Sequence, residues 1–309
     1  MPENTKTVDN YMLPLEINGL SGRMMRVTPP AGKRTEILLI YGHHTSLERI
    51  FGVAELLNKY SGITVPDLPG FGGMETFYKI GKQPTLDNMA DYLAAFINKY
   101  LKNKRFVIAG YSLGFVVVTR LLQRHPNIIK KVDMVVSIAG LVHKDDFIFK
   151  RRTFLIFRYG TSFFSHYLPA AFLKYIAFRG PFIRTAYRLV ENRHSKLVDG
   201  DRTERDKRIA FEIHLWQCND PRTYMSMGKT MFTLDLTDRQ IDLPVYHVSL
   251  DNDRYFNNKS VEKHMRQIYR DFYQFRADVP AHSPSVIASA EQASPYIPEQ
   301  LRRLLKDIA

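Results

Sequence analysis

Residues 105–120 read RFVIAGYSLGFVVVTR, and the order of residue types there sets the frame for the whole chain. Residues 106–109 are a short apolar run of the kind that fills a buried strand. Gly110-Tyr111-Ser112-Leu113-Gly114 follows at once, and 115–122 continue with helix-like apolar spacing. Strand, tight turn and helix, with G-x-S-x-G at the corner, is the context that a nucleophile elbow requires. So sharp a turn holds its serine in a sparsely populated backbone conformation, at a cost of roughly 1–3 kcal/mol. Gly110 and Gly114, lacking side chains, let strand and helix come close enough to make it. Ser112 Oγ is then presented at the carboxyl edge of a sheet, beside the Leu113 N–H at a helix N-terminus. The competing reading is a glycine-flanked turn with an idle serine, and the flanking chain has to decide.

Upstream, residues 36–41 (EILLIY) form a continuous apolar run, as expected of a strand buried on both faces, and end at Gly42-His43-His44. Residues 47–59 have helical spacing. A short strand at 63–65 runs into Pro66-Asp67-Leu68-Pro69-Gly70-Phe71-Gly72-Gly73. Residues 85–100 predict an amphipathic helix capped by Thr85, with Leu86, Met89, Leu93, Phe96 and Ile97 on one face. At the start, 11–18 and 23–28 read as a hairpin joined through 19–22. Downstream, 132–139 is one more apolar strand. Helices and loops then replace the alternation until a strand at 243–250, a helix at 260–269, a strand at 272–276 and a helix at 298–308. This pattern predicts an α/β fold: a mostly parallel central sheet with helices on both faces, opened by an antiparallel hairpin. The core would comprise 11–144 and 241–309, with 145–240 an inserted helical domain and 1–10 a flexible polar N-terminus.

The chain has 309 residues, of which 45% are hydrophobic and 24% charged, enough for a substantial core. The single Cys218 excludes an internal disulfide framework and suits a reducing compartment. The N-terminus carries acids and no apolar h-region, so no signal peptide is expected. The longest uncharged runs, 106–119 and 159–173, are too short to span a bilayer. A soluble, cytoplasmic protein is expected, with peripheral membrane contact an open alternative. The net charge of +13 is concentrated: 144–208 holds 15 Lys/Arg against 7 Asp/Glu, interleaved with aromatic residues. Such a segment suits a solvated helical cover, an anionic membrane surface or nucleic acid. No helix-turn-helix, zinc-finger or RNA-recognition pattern accompanies it, so nucleic acid is not expected.

Taken together, these landmarks resemble the α/β-hydrolase fold family over 11–143 and 241–309, about two thirds of the chain. Ile37-Leu38-Leu39-Ile40-Tyr41-Gly42 resembles the strand that ends in the family's His-Gly oxyanion turn, and Pro66-Asp67-Leu68-Pro69-Gly70-Phe71-Gly72 its D-x-P-G-x-G segment. Gly110–Gly114 is similar to the elbow. Ala281-His282-Ser283 sits where the family places its catalytic histidine, on a loop before the last helix. The insertion corresponds to the family's lid or cap. Two positions depart from the pattern: Tyr41-Gly42 replaces His-Gly, and Ala281-His282 replaces Gly-His. Neither removes a catalytic atom.

The resemblance implies a triad in the chain order Ser, Asp or Glu, His. Serine needs a base within hydrogen-bond reach, itself oriented by a carboxylate. With Ser112 as nucleophile, His282 is the base; a plain surface-loop histidine is the alternative. His125 and His264 lie on predicted helices, and His166, His194 and His214 in the insertion. Counting the family's G-x-x-D pattern from Leu250 puts the acid at Asp253, with Asp251 as alternative and Asp145 or Asp146 further afield. Turn chemistry accounts equally for an aspartate at any of these positions. The two oxyanion donors would be the backbone N–H groups of Leu113 and His43, the side chain of His43 mattering little. His43-His44 lacks the neighbouring ligands that would complete a metal site, so no metal and no cofactor are expected. Asp67 reads as structural. A serine at the elbow sets the chain apart from haloalkane dehalogenases and epoxide hydrolases of this fold, which place an aspartate there. The expected activity is a serine esterase of carboxylesterase or lipase type, acting on a small-molecule ester with an apolar or lipid-like acyl group. Carbon–carbon bond hydrolysis or acyl transfer on the same triad, and a non-catalytic binding protein of this fold, remain open.

Overall fold

The computed structural model describes residues 7–102, 104–190, 202–279, 281–283 and 289–308. The expected flexible N-terminus lies outside these only through residue 6. Val8–Tyr11 forms a 3-10 turn, and Val8 and Tyr11 pack on the core. Strands β1 (Met12–Ile17) and β2 (Leu20–Val27) are joined by Asn18 and Gly19 alone, at φ of 51° and 80°. The hairpin is therefore tighter than 19–22 implied. Two consecutive left-handed residues match the twist of the flanking strands, and Asn-Gly supplies them. Gly22, which reads as a second turn glycine, is a strand residue under Met74; a Cβ there would lie 2.6 Å from Met74 Cγ.

The apolar runs become β3 (Glu36–Ile40), β4 (Gly62–Pro66) and β5 (Phe106–Tyr111), in which every residue is buried. Helix α1 (Leu47–Asn58) joins β3 to β4, and α2 (Leu86–Tyr100), capped by the Thr85 side chain, leads to β5. Helix α3 (Leu113–Arg124) and the single turn α4 (Pro126–Ile129) lead to β6 (Val132–Ile138). After β6 come α5 (Arg151–Phe164), α6 (Tyr167–Phe172), a π-helical turn at Leu173–Ala177, α7 (Gly180–Val190), α8 (Arg202–Cys218) and α9 (Pro221–Met231). The chain returns through β7 (Ile241–Leu250), α10 (Asn258–Ile268) and β8 (Tyr269–Ala277) to α11 (Ala290–Ala293) and α12 (Glu299–Ile308).

The eight strands form one sheet in the order β1-β2-β4-β3-β5-β6-β7-β8, parallel from β4 to β8 and antiparallel at β1-β2-β4. Burial of the apolar strand residues is what holds it together: at about 25 cal/mol per Å² of apolar area, each buried Leu, Ile or Val contributes roughly 1.5–3 kcal/mol. Leu57 of α1 and Leu301 and Leu305 of α12 meet Ile37, Val107 and Val136 on the sheet. β8 is three residues longer at its start than 272–276 suggests. As the last strand of the sheet it buries Tyr269, Phe272 and Ala277 and leaves most of the residues between them exposed, so Arg270 and Asp271 obscure the strand pattern.

The helices between β6 and β7 stack in two tiers. α5 and α6 pack on α9, and α7 packs on α8. The corner between α8 and α9 is stapled to the PDLPGFG loop: Gly73 N–H donates to Cys218 O at 2.9 Å, Asp220 N–H to Gly70 O at 2.8 Å, and Gly72 N–H to Asn219 Oδ1 at 2.9 Å. The inner tier is thereby fixed over the carboxyl ends of β3, β4 and β5.

Candidate active site

Ser112 is the corner between β5 and α3, at φ 49° and ψ −117°, a conformation an L-residue holds only when its surroundings impose it. A Cβ on Gly110 would lie 2.4 Å from Phe115 Cα, and one on Gly114 2.2 Å from the Ile40 carbonyl oxygen. These two glycines are what the corner requires. Ser112 N–H donates to Ile138 O at 3.0 Å, tying the elbow to β6. Leu113 is the first residue of α3, so its N–H has no intrahelical acceptor. The loop after β3 runs alongside: a Cβ on Gly42 would lie 3.3 Å from Ser112 Cβ, which brings the backbone of His43 to the same corner.

His282 approaches from the loop after β8. Its carbonyl accepts a 2.5 Å hydrogen bond from Tyr111 Oη, on the residue before Ser112. Its Nδ1 lies 2.9 Å from Asp253 Oδ2. Asp253 sits in the turn after β7, its carboxylate 3% exposed, and its Oδ1 accepts the N–H groups of Tyr255 (2.8 Å) and Phe256 (3.3 Å). The rings of Tyr255 and Phe256 meet His282 edge-on at 5.0 and 5.2 Å. Asp251 points elsewhere, its carboxylate 3.6 Å from Arg276 Nε at the surface. Asp146 is buried against His264 Nδ1 at 2.6 Å, and Asp145 lies 3.6 Å from the His143 ring. Of the four aspartates that the sequence offers, Asp253 is the one beside His282. His125 lies between α3 and α4 and contacts Asp91, while His166 and His214 are exposed; His194 lies outside the described residues.

The His43 side chain matters more than its sequence suggests. Its Nε2–H donates to Tyr224 O at 2.7 Å, and the two rings stack at 3.8 Å. Burial pushes the imidazole down to about 4, so it is neutral at neutral pH and pins the loop after β3 to α9 as an uncharged ring. The next residue, His44, reaches Glu212 of α8 through Nε2 at 2.9 Å. Sequence reasoning missed both Glu212 and Arg49, since no motif marks either. Arg49 is 6% exposed, and it donates to His44 O (2.8 Å) and Ser283 Oγ (3.2 Å) while lying 3.7 Å from Glu212 Oε1. Tyr187 Oη donates to Glu212 Oε2 at 2.9 Å. One buried guanidinium thus links the loop after β3, the loop that carries His282 and a helix of the inner tier.

Tyr41, standing where the resemblance leads one to expect histidine, donates to Asp67 Oδ1 at 2.8 Å and accepts Leu68 N–H at 3.0 Å. Asp67 is fully buried, and burial raises its carboxyl to about 7, opposed by Arg23 at 3.2 Å and by Tyr41. It anchors the PDLPGFG turn: a Cβ on Gly72 would lie 2.0 Å from its Oδ1. Burial also pushes the Cys218 thiol up to about 12, which leaves it unreactive at neutral pH. Among the described residues, no three His, Cys, Asp or Glu side chains converge as a metal site. No described helix is long and apolar enough to cross a membrane.

No family model matches the sequence, and no curated protein is similar to it in sequence. Solved structures are similar in shape. The N-formylmaleamic acid deformylase from Pseudomonas putida S16 superposes with a TM-score of 0.64 at 15% identity, over 88% of this chain and 94% of its own. The enol-lactonase from Burkholderia xenovorans LB400 does so with a TM-score of 0.60 at 15% identity, over 96% and 98%. A thermophilic esterase from Thermogutta terrifontis, with malate bound, gives 0.56 at 15% identity, over 96% of both chains. At these identities the likeness shows the fold. Deformylase, lactonase and esterase share it, so the fold does not choose the reaction.

Proposed function

We propose that this chain, which has the α/β-hydrolase fold, is a serine hydrolase that cleaves carboxylic esters through an acyl-enzyme. The observation that carries the reading is the His282–Asp253 pair, 2.9 Å apart, on a loop that Tyr111 ties to the strained Ser112. Ser112 Oγ attacks the ester carbonyl, and Nε2 of His282 takes its proton. Asp253 holds the Nδ1–H and stabilises the imidazolium. The N–H groups of Leu113 and His43 receive the charge of the tetrahedral intermediate. His282 then protonates the departing alcohol, and water activated by the same imidazole releases the acid. Residues 145–240 act as the cap over a core of 11–144 and 241–309. The rings of Tyr224, Trp216, Tyr255 and Phe256 around His43, His44 and His282 favour an apolar acyl group.

The test is intact-mass labelling with a fluorophosphonate, on the wild type beside Ser112→Ala and His282→Ala. A single adduct on the wild type, absent from both variants, is expected, with turnover of esters rising with acyl chain length. A folded wild type that takes no label, or that prefers acetyl esters, overturns the reading; the first result assigns the chain to the binding proteins of this fold.

A further inference from the structure

The outer tier of helices carries a surface that the proposed chemistry does not use. Residues 147–190 contain eight Lys or Arg and no Asp or Glu. Of the sixteen exposed large apolar or aromatic side chains among the described residues, eleven lie between 156 and 189. Leu189 is 81% exposed, Leu168 77%, Ile156 69% and Phe182 60%. On α5, Ile156, Tyr159 and Phe163 recur at helical spacing as one outward stripe. α5 and α6 rest on α9 and α7 on α8, and these side chains are open to solvent on the outer helices, the Phe157 ring also stacking on Phe232 at 5.8 Å. So dense an apolar patch on a surface marks an interaction site. A cavity of about 390 Å³ opens at its inner edge, lined by Lys174, Tyr175, Phe178 and Arg179 on one side and by Met74 and Trp216 on the other.

We propose that α5–α7 dock on an anionic bilayer surface, with the apolar side chains entering the headgroup boundary and Lys174 and Arg179 meeting lipid phosphates. Large apolar residues beside Lys and Arg are the composition of helices that lie in the membrane interface. Charge selects the occupant. In a two-fold contact with a second copy, this surface would face itself cation against cation: Arg188 lies 3.8 Å from Asp206 of α8, and 147–190 holds no acid to pair the other seven. Nucleic acid has no use for eleven exposed apolar side chains, because interfaces with it are polar. An anionic bilayer satisfies both halves of the surface.

Co-sedimentation with vesicles tests this. Wild type and Ser112→Ala are both expected to pellet with vesicles of phosphatidylcholine and phosphatidylglycerol, to remain in solution with phosphatidylcholine alone, and to be released by salt. The doubles Leu168→Asp/Leu189→Asp and Lys174→Glu/Arg179→Glu should each lower partitioning about tenfold or more at unchanged melting temperature. Binding to neither vesicle, equal binding to both, or wild-type binding by the doubles overturns the proposal. So does a dimer that Leu168→Asp/Leu189→Asp dissociates in a protein that no vesicle pellets. Because Ser112→Ala reports binding without chemistry, a failure here and a failure of the hydrolase reading are told apart.

Discussion

Glu212 of α8 lies 2.9 Å from Nε2 of His44, the residue that follows the proposed oxyanion donor His43. The same carboxylate faces Arg49 at 3.7 Å, and Arg49 reaches Ser283, the residue after His282. The helical layer therefore bonds directly to the loops that carry His43 and His282. It holds two of the site's loops through one buried ion pair.

Removing one member of a buried pair leaves the other without its counter-charge, at a cost of about 3–5 kcal/mol. Glu212→Leu is expected to destabilise by that order and to lower kcat/KM as the oxyanion loop loosens. The double variant Arg49→Met/Glu212→Leu should recover part of the stability, because it leaves no unpaired charge. Denaturant unfolding of the four proteins measures the coupling; losses that simply add would dissolve the link.

Asp253→Asn keeps the shape of the carboxylate but favours the wrong imidazole tautomer, and should reduce kcat by about 10³–10⁴. Asp251→Asn, whose carboxylate faces Arg276 at the surface, should stay within about twofold. Ester turnover and the rate of fluorophosphonate labelling separate the two; equal losses would remove Asp253 from its role.

Gly114→Ala would press a Cβ to 2.2 Å from the Ile40 carbonyl oxygen, and both are backbone-bound, so neither can yield. That variant should lose more than about 4 kcal/mol or fail to fold. Gly73→Ala meets nothing within 4 Å and bears only the strain of its φ of +90°, about 1–2 kcal/mol. Comparable melting temperatures for the two would mean that the elbow is looser than its contacts imply.

His43 gives the protein a pH signature. Its folded pKa is lowered from 6.5 to about 4, so between those values the unfolded chain binds the proton and the folded one does not. Its contribution is present above 6.5 and lost as pH falls through about 4. His43→Phe, which keeps a ring against Tyr224 but cannot titrate, should flatten the decline in stability over that window by roughly 1–3 kcal/mol. Urea midpoints at several pH values decide it; parallel curves for variant and wild type would refute it.

How much of this was legible depends on how local the cause is. The elbow is written in five consecutive residues, because Gly110 and Gly114 are needed by contacts within the same strand-turn-helix unit and its nearest neighbour strand. The continuous apolar runs at 36–41 and 106–109 announce strands covered on both faces for the same reason. The hairpin misled because Gly22 serves packing under Met74 and not a turn, a difference invisible without the long-range partner.

Sequence by itself determined the alternation of strands and helices and the strained serine, since each follows from local sterics and periodicity, while the histidine loop near the end was placed by the resemblance to the α/β-hydrolase fold. Only the tertiary structure decided which aspartate stands beside that histidine. Asp251 N–H extends the β7–β8 ladder to Ala277 O, leaving its side chain at the surface, whereas Asp253 N–H closes a turn on Leu250 O and its carboxylate meets His282 from inside. The roles of Arg49, Glu212 and the His43 ring were likewise beyond sequence. Their partners lie up to 234 residues away, and burial, which makes each contact strong, exists only once the helical layer has closed on the sheet.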